Sequence, residues 1–307
     1  MPRDSHVNER YDVVIVGGGP AGLNAALILG RCRRRVLVLD NGQYRNAASH
    51  AMHGYLTRDG TPPADFLQMG RDELRRYDSV EVRCITATDA CQVDGRFEII
   101  LDDGTAITAR KLLLATGIVD ELPPIEGIEA FYGQGVHHCP YCDGWEVRDG
   151  RLAVYGTSRQ GYALALELTA WSRDLVLCTD GPTTLPKRDL DRLGRNGIAV
   201  RQEPIARLEG TDGRLERVVF QSGEPLACRA LFFNTGFQQR SDLASRLSCQ
   251  FTRKGAVKTS DYEATDTPGL YVAGDASRRV QLVIIAAAEG AAAAFAINTD
   301  LLREDLA

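Results

Sequence analysis

Cys139-Pro140-Tyr141-Cys142-Asp143-Gly144 sets two sulfurs two residues apart. At that spacing one thiolate can attack a disulfide while the second resolves the mixed disulfide, and the two can close a small ring. A helical turn starting here would offer its first N–H groups to a thiolate. Half a zinc site is the other chemistry open to any C-x-x-C, and His137 and His138 adjoin this one. The remaining cysteines supply no second C-x-x-C, and consecutive residues rarely serve one tetrahedral metal. Thiol–disulfide chemistry is therefore the reading, and no metal is expected. Cys32, Cys84, Cys91, Cys178, Cys228 and Cys249 are scattered, mostly in apolar surroundings, and read as small buried hydrophobes. In a reducing cytosol the eight cysteines should not form a structural disulfide framework.

A second chemistry is phosphate binding. Tyr11-Asp12-Val13-Val14-Ile15-Val16 is an apolar, β-branched run, as in a strand buried on both faces of a parallel sheet. Gly17-Gly18-Gly19-Pro20-Ala21-Gly22 follows, then a helix over about 21–30 and a second strand over 35–39 ending at Asp40. This is the dinucleotide fingerprint in its full context of strand, glycine turn, helix and late acid. Gly17 permits the tight turn, Gly19 lets backbone approach a pyrophosphate, and Gly22 lets helix pack close to strand. The helix N-terminus offers N–H groups and a positive dipole end to phosphates, and Asp40 is placed to accept from ribose hydroxyls.

The pattern recurs. A strand over 152–155 leads into Gly156-Thr157-Ser158-Arg159-Gln160-Gly161, a helix over about 162–171 and a strand over 175–178 ending near Asp180. Ser158 stands where the middle glycine belongs and adds a side chain at the phosphate approach. Either a weakened nicotinamide site or an idle copy of the fold follows. Leu112-Leu113-Leu114-Ala115-Thr116-Gly117 is echoed by Leu231-Phe232-Phe233-Asn234-Thr235-Gly236, as a duplication predicts. Leu270-Tyr271-Val272-Ala273-Gly274-Asp275 is a further buried strand, and an alanine-rich helix starts around Gln281. The fold class is α/β, with two Rossmann-like dinucleotide-binding domains.

The chain has 307 residues, 44% hydrophobic and 25% charged, and that length suggests two domains. A formal net charge of -5 gives no electrostatic reason to expect nucleic acid or an anionic membrane as partner. The basic run Arg31, Arg33, Arg34, Arg35 reads as a solvated helix end. The polar start over 1–10 carries no signal-peptide core. The apolar stretch 280–297 is interrupted by Glu289 and Gly290, which suits a buried helix and not a membrane span. A cytoplasmic location follows as the expectation.

The N-terminal fingerprint, the central Ala-Thr-Gly, the C-x-x-C before a second fingerprint and the late Gly-Asp, in this order, resemble the low-molecular-weight thioredoxin reductases of the two-domain flavin disulfide reductase group. The resemblance implies an FAD domain of residues 1–119 and 242–307, interrupted by a smaller NAD(P)-type domain of residues 120–241, and a homodimer. It implies FAD contacts at Gly17, Gly19, Pro20, Ala21, Gly22, Asp40, Asn46, Thr116, Gly117, Gly274, Asp275 and Gln281, with Gly156, Ser158 and Gly161 as the worn nicotinamide turn. It also implies that Cys142 faces the flavin, Cys139 exchanges with substrate, and Asp143 carries the thiol proton. His138 is a second acid–base candidate, since imidazole titrates in the working pH range.

Three departures bear on electron flow. Cys178-Thr179-Asp180 replaces the His-Arg-Arg cluster that grips the NADPH 2′-phosphate, so NADPH should bind poorly and NADH, if either, should be preferred; Lys187 and Arg188 read as a solvated helix start. Val280-Gln281 replaces an Arg-Gln pair. Ser49-His50-Ala51-Met52-His53-Gly54 and His137-His138-Cys139 are similar to the dithiol oxidases of gliotoxin and holomycin pathways, which pass electrons to molecular oxygen, although Asp143 is the reductase choice. The expected function is an FAD-dependent thiol–disulfide oxidoreductase with weak NADPH use, acting as an oxygen-coupled oxidase of a small dithiol or on a thioredoxin-like protein. The alternative is an ordinary NAD(P)H-dependent thioredoxin reductase. A nucleotide or redox sensor without catalysis, and an NADH oxidase with idle cysteines, are further alternatives. Roles for His50, His53 and His137 stay open.

Overall fold

The structure is a computed structural model that describes residues 9–278 and 280–307. Most of the polar start lies outside the described residues. Contacts divide the chain into two compact units: Met1–Arg45, Pro63–Val119 and Phe237–Ala307 form one, and Asn46–Pro62 with Asp120–Gly236 the other.

This division departs from the sequence-based one in two places. Segment 46–62 joins the second unit, because its side chains find partners there. His50 Nε2 lies 3.0 Å from Gln134 Oε1, and His53 Nε2 lies 3.5 Å from Glu146 Oε1. The chain also returns to the first unit at Phe237 instead of 242. Gln239 ties that stretch down by donating through Nε2 to Gly255 O at 2.8 Å and Ala276 O at 2.9 Å. Neither contact leaves a periodic pattern in the sequence.

In the first unit, Glu9–Val16 lies between Val36–Leu39 and Ala106–Leu114, with Val80–Arg83 beyond Val36–Leu39, all parallel. Arg96–Leu101 and Ala87–Val93 extend the sheet antiparallel, and Leu270–Val272 pairs parallel with the end of Ala106–Leu114. The central strands carry near-continuous Val, Ile and Leu because both faces are covered. The helix Pro20–Arg31 crosses the long helix Val283–Asp305 closely, where Asn24 Nδ2 donates to Ala287 O at 2.6 Å.

In the second unit, five parallel strands run in the order Ala199–Arg201, Leu175–Cys178, Leu152–Tyr155, Ala230–Phe233, Val136–His137. A three-stranded antiparallel sheet, Ile205–Thr211, Arg214–Phe220 and Leu226–Ala227, accompanies it. The two parallel sheets repeat one plan. Gly17 N–H donates to Leu39 O at 2.8 Å, and Gly156 N–H donates to Cys178 O at 3.1 Å, at matching places after the first strand of each. Two Rossmann-like units are thus present.

The helix Val283–Asp305 is long and apolar enough to cross a membrane by length and composition. Glu289, in its second turn, is buried and accepts from Gly274 N–H at 2.8 Å and from Arg278 Nε at 2.7 Å. The helix is thereby tied into the core of its unit.

One expectation fails. Of the six scattered cysteines, Cys178 and Cys228 are buried and Cys249 is half-buried, but Cys32, Cys84 and Cys91 are exposed. Cys32 follows the solvated end of the first helix, among Arg31, Arg33, Arg34 and Arg35, and Cys91 sits on an edge strand, where side chains alternate between core and solvent. Lys187 and Arg188 open the helix Lys187–Arg195 and are exposed, as a solvated helix start requires.

Candidate active site

The first glycine turn has the geometry of a phosphate cradle. Gly17 takes φ +112°, and a Cβ there would stand 2.2 Å from Ala115 O. A Cβ on Gly22 would stand 1.9 Å from Gly17 O, so only glycine lets the helix close on the turn. At Gly19 the same construction meets nothing within 4 Å, leaving open space at the helix N-terminus. Gly19 is the N-cap of Pro20–Arg31, no side chain caps the helix, and its first turn holds no acid. Free N–H groups, a positive dipole end and room fit a pyrophosphate. The residues present therefore fit FAD.

Around this turn the expected residues gather. Asp40 is buried, with Oδ1 accepting from Gly42 N–H at 3.0 Å. Its Oδ2 accepts from Tyr44 Oη at 2.5 Å and from Arg71 Nη2 at 3.1 Å. Burial and the facing Asp40 carboxylate push the Tyr44 phenol well above its ordinary range, so Tyr44 stays a donor. Gly117 (φ +68°) and Gly274 (φ +81°) end strands of the same sheet. Asp275 Oδ2 and Gln281 Oε1 each lie 2.8 Å from Arg45 Nη1. Tyr44, Arg45 and Arg71 were missed by the sequence reading. They sit in a loop and on an ordinary surface helix, and only the fold brings them to the late acid and the last helix. Asn46 falls in the segment that belongs to the other unit.

The second turn keeps the frame and changes the cradle. A Cβ on Gly156 would stand 2.4 Å from Gly161 Cα, so helix and strand pack as closely as in the first unit. Ser158 is the N-cap of Arg159–Glu167, yet its side chain caps nothing; Oγ lies 3.4 Å from Gln160 Oε1. Asp180 takes φ +48°, and its Oδ1 accepts from Ile205 N–H at 2.7 Å. That bond holds the Asp180 carboxylate in its loop, as Gly42, Tyr44 and Arg71 hold that of Asp40.

The sulfur pair closes. Cys139 and Cys142 are joined as a disulfide with a Cα–Cα separation of 5.3 Å. Pro140 opens the single helical turn Pro140–Asp143, and Cys142 N–H donates to Cys139 Sγ at 3.2 Å. Burial lifts the thiols of Cys178 and Cys228 to about 12 and that of Cys249 to about 11. Those three stay protonated at neutral pH and are poor nucleophiles. Tyr141 is 68% exposed with its ring edge-on to Trp171, and Trp145 is 64% exposed beneath the Arg148 guanidinium. Apolar rings thus border the pair.

The adjacent histidines diverge where the chain leaves the sheet, His137 ending the strand Val136–His137 and His138 following it. His138 turns toward Phe233, with Nδ1 3.5 Å from Tyr132 Oη and 3.7 Å from Asp120 Oδ2. His137 turns to the other face, against the Phe232 ring at 5.4 Å, and its Nδ1 lies 3.4 Å from Asp143 Oδ1. His137 is 5% exposed, and neither ring nitrogen has a hydrogen-bond partner. Each buried polar atom left so costs about 1–3 kcal/mol. The structure therefore sets His137 beside Asp143. His50 and His53 find the partners in their own unit described above, and His53 Nδ1 also lies 3.5 Å from Asp59 Oδ1.

A unit with an open dinucleotide cradle, in one chain with a second Rossmann-like unit bearing a closed C-x-x-C disulfide, defines a disulfide oxidoreductase of the flavin-dependent class. Residues 11–290 match the model of the pyridine nucleotide-disulphide oxidoreductase family, and the chain belongs to that family. It is 31% identical to the thioredoxin reductase tcpT of Claviceps purpurea over 306 residues, covering 95% of each chain. Among solved structures it is similar to HlmI (37% identity, TM-score 0.91, 96% of this chain and 94% of that one). It is similar also to an oxidoreductase from Agrobacterium tumefaciens (32% identity, TM-score 0.89, 95% and 99%). The protein is an enzyme, an FAD-dependent disulfide oxidoreductase.

Proposed function

We propose that the chain works chiefly in the oxidative direction, closing a disulfide in a dithiol substrate and using NADPH poorly. The observation that carries this reading is the second glycine turn. Ser158 occupies the phosphate approach, Asp180 adds a negative charge where a 2′-phosphate would need a cation, and its Oδ1 is held by Ile205 N–H. Bound FAD supplies the two-electron acceptor, and molecular oxygen is the final oxidant. Gly17, Gly19, Pro20, Ala21, Gly22, Asp40, Asn46, Thr116, Gly117, Gly274, Asp275 and Gln281 are the proposed FAD contacts.

The protein's own steps are these. One substrate thiolate attacks Cys139 Sγ, the Cys139–Cys142 bond breaks, and Cys142 leaves as a thiolate. The second substrate thiol then attacks the sulfur bonded to Cys139, releasing cyclic or linear disulfide and a Cys139 thiolate. Asp143 takes the proton from an attacking thiol and returns it to a leaving thiolate. Two electrons have then passed from the substrate to the cysteine pair. The substrate is a small dithiol or a thioredoxin-like protein; the exposed rings of Tyr141 and Trp145 suit an apolar body beside the reacting sulfurs. A homodimer in the cytoplasm completes the proposal.

Anaerobic titration tests it. Dithiol alone is expected to bleach the yellow protein, and NADPH at micromolar levels is not. Rapid bleaching by NADPH would overturn the direction and favour an NAD(P)H-dependent disulfide reductase. Cys142→Ser should stay yellow and lose turnover by roughly a thousandfold or more, as removal of a covalent participant does.

A further inference from the structure

We propose that His137 is a positioning residue for Asp143, holding its carboxylate in register for the thiol proton when the Cys139–Cys142 bond is open. The inference rests on the thiol–disulfide chemistry of the pair. Three observations lead to it.

First, His137 is nearly fully buried on a sheet strand, and both ring nitrogens lack a hydrogen-bond partner. Buried side-chain polar atoms are mostly satisfied, and an exception needs a reason. Second, the ring is fixed. The strand Val136–His137 pairs with Ala230–Phe233, His137 stands opposite Phe232, and the two rings pack at 5.4 Å. Third, among the described residues Asp143 is the one carboxylate within 4.0 Å of a His137 ring nitrogen, at 3.4 Å from Nδ1. That separation lacks the alignment of a hydrogen bond in the disulfide state. Asp143 itself closes the one-turn helix that carries Cys142.

A rigid buried donor beside a carboxylate on the mobile half of a redox ring is a base with an orienting group. Opening the disulfide frees Cys142 and its turn to move. A small shift of that turn brings Asp143 into line with Nδ1–H, giving that nitrogen its partner and aiming the free carboxylate oxygen at a thiol. The proton then passes from a thiol S–H to the Asp143 carboxylate, leaving a thiolate, and returns from Asp143 to solvent or to a leaving thiolate.

The experiment uses the full-length flavoprotein and two variants, His137→Phe and His137→Asn. Phenylalanine keeps the packing on Phe232 without a donor, and asparagine restores an N–H near the Nδ1 position. His137→Phe is expected to retain flavin and the oxidised disulfide. Its dithiol turnover should fall about tenfold at neutral pH, below the 10²–10⁴ of a whole acid–base group. The pH profile of iodoacetamide alkylation of its chemically reduced pair should shift relative to the parent. His137→Asn should recover much of both. Asp143→Asn should already show the shift, and adding His137→Phe to it should change nothing more. Two results would overturn the inference. One is an unchanged alkylation profile in His137→Phe; the other is additive losses in the double variant. The alkylation profile needs no turnover, so failure of the parent enzyme to oxidise any dithiol would sink the functional reading while leaving His137 testable.

Discussion

The two glycine turns of this chain share one backbone plan and differ in what they can hold. In both, the turn N–H donates to the end of the second strand, and a glycine six or fewer positions on lets the helix pack against the turn. The first leaves empty space at Gly19 and keeps Asp40 within its own loop cluster with Tyr44 and Arg71. The second fills the corresponding place with Ser158 and commits an oxygen of Asp180 to Ile205 N–H. Packing glycines preserve a fold, whereas the approach glycine preserves a ligand. The second unit has the packing glycines, has Ser158 at the approach position, and carries the disulfide.

Breaking the stronger turn should have the largest effect. Gly19→Asp puts a carboxylate in open space, so the chain should fold, while like charge set against a pyrophosphate costs several kcal/mol. Flavin affinity is expected to fall by about a hundredfold or more, read as flavin retained through gel filtration at unchanged circular dichroism. Ser158→Asp should leave flavin content untouched. Equal flavin loss in both variants would erase the distinction between the turns.

Repairing the weaker turn should have a smaller effect. Ser158→Gly is expected to raise the rate of flavin reduction by NADH about threefold to tenfold, by reopening the backbone approach. No gain would place the defect in the Asp180 loop alone.

A third effect, on stability instead of on cofactor use, concerns the core that supports the first turn. Burial raises Glu289 from its ordinary 4.5 to about 7, against the opposing pull of the Gly274 N–H. The folded chain thus holds this proton more tightly than the unfolded chain. Its penalty on stability is absent below about 4.5, grows as pH rises to about 7, and is constant above. Glu289→Gln should flatten the fall in stability between pH 5 and 7.5 by up to about 3 kcal/mol, measured by denaturant unfolding of holoprotein.

Much of this was legible along the chain because it depends on neighbours in sequence. Both fingerprints, the buried strands, the worn position at Ser158 and the Cys139–Cys142 pair are local patterns of spacing and side-chain type. The comparisons with relatives bear out the family and the fold that those patterns implied. What stayed hidden involves residues with no periodic signature. Tyr44, Arg45 and Arg71 reach the first turn only through the fold, segment 46–62 changes unit because its side chains find partners there, and Cys32, Cys84 and Cys91 lie exposed. His137 and His138 are indistinguishable as letters. The sheet register that sets His137 opposite Phe232 fixes the ring that meets Asp143, and register is a property of paired strands far apart in the chain.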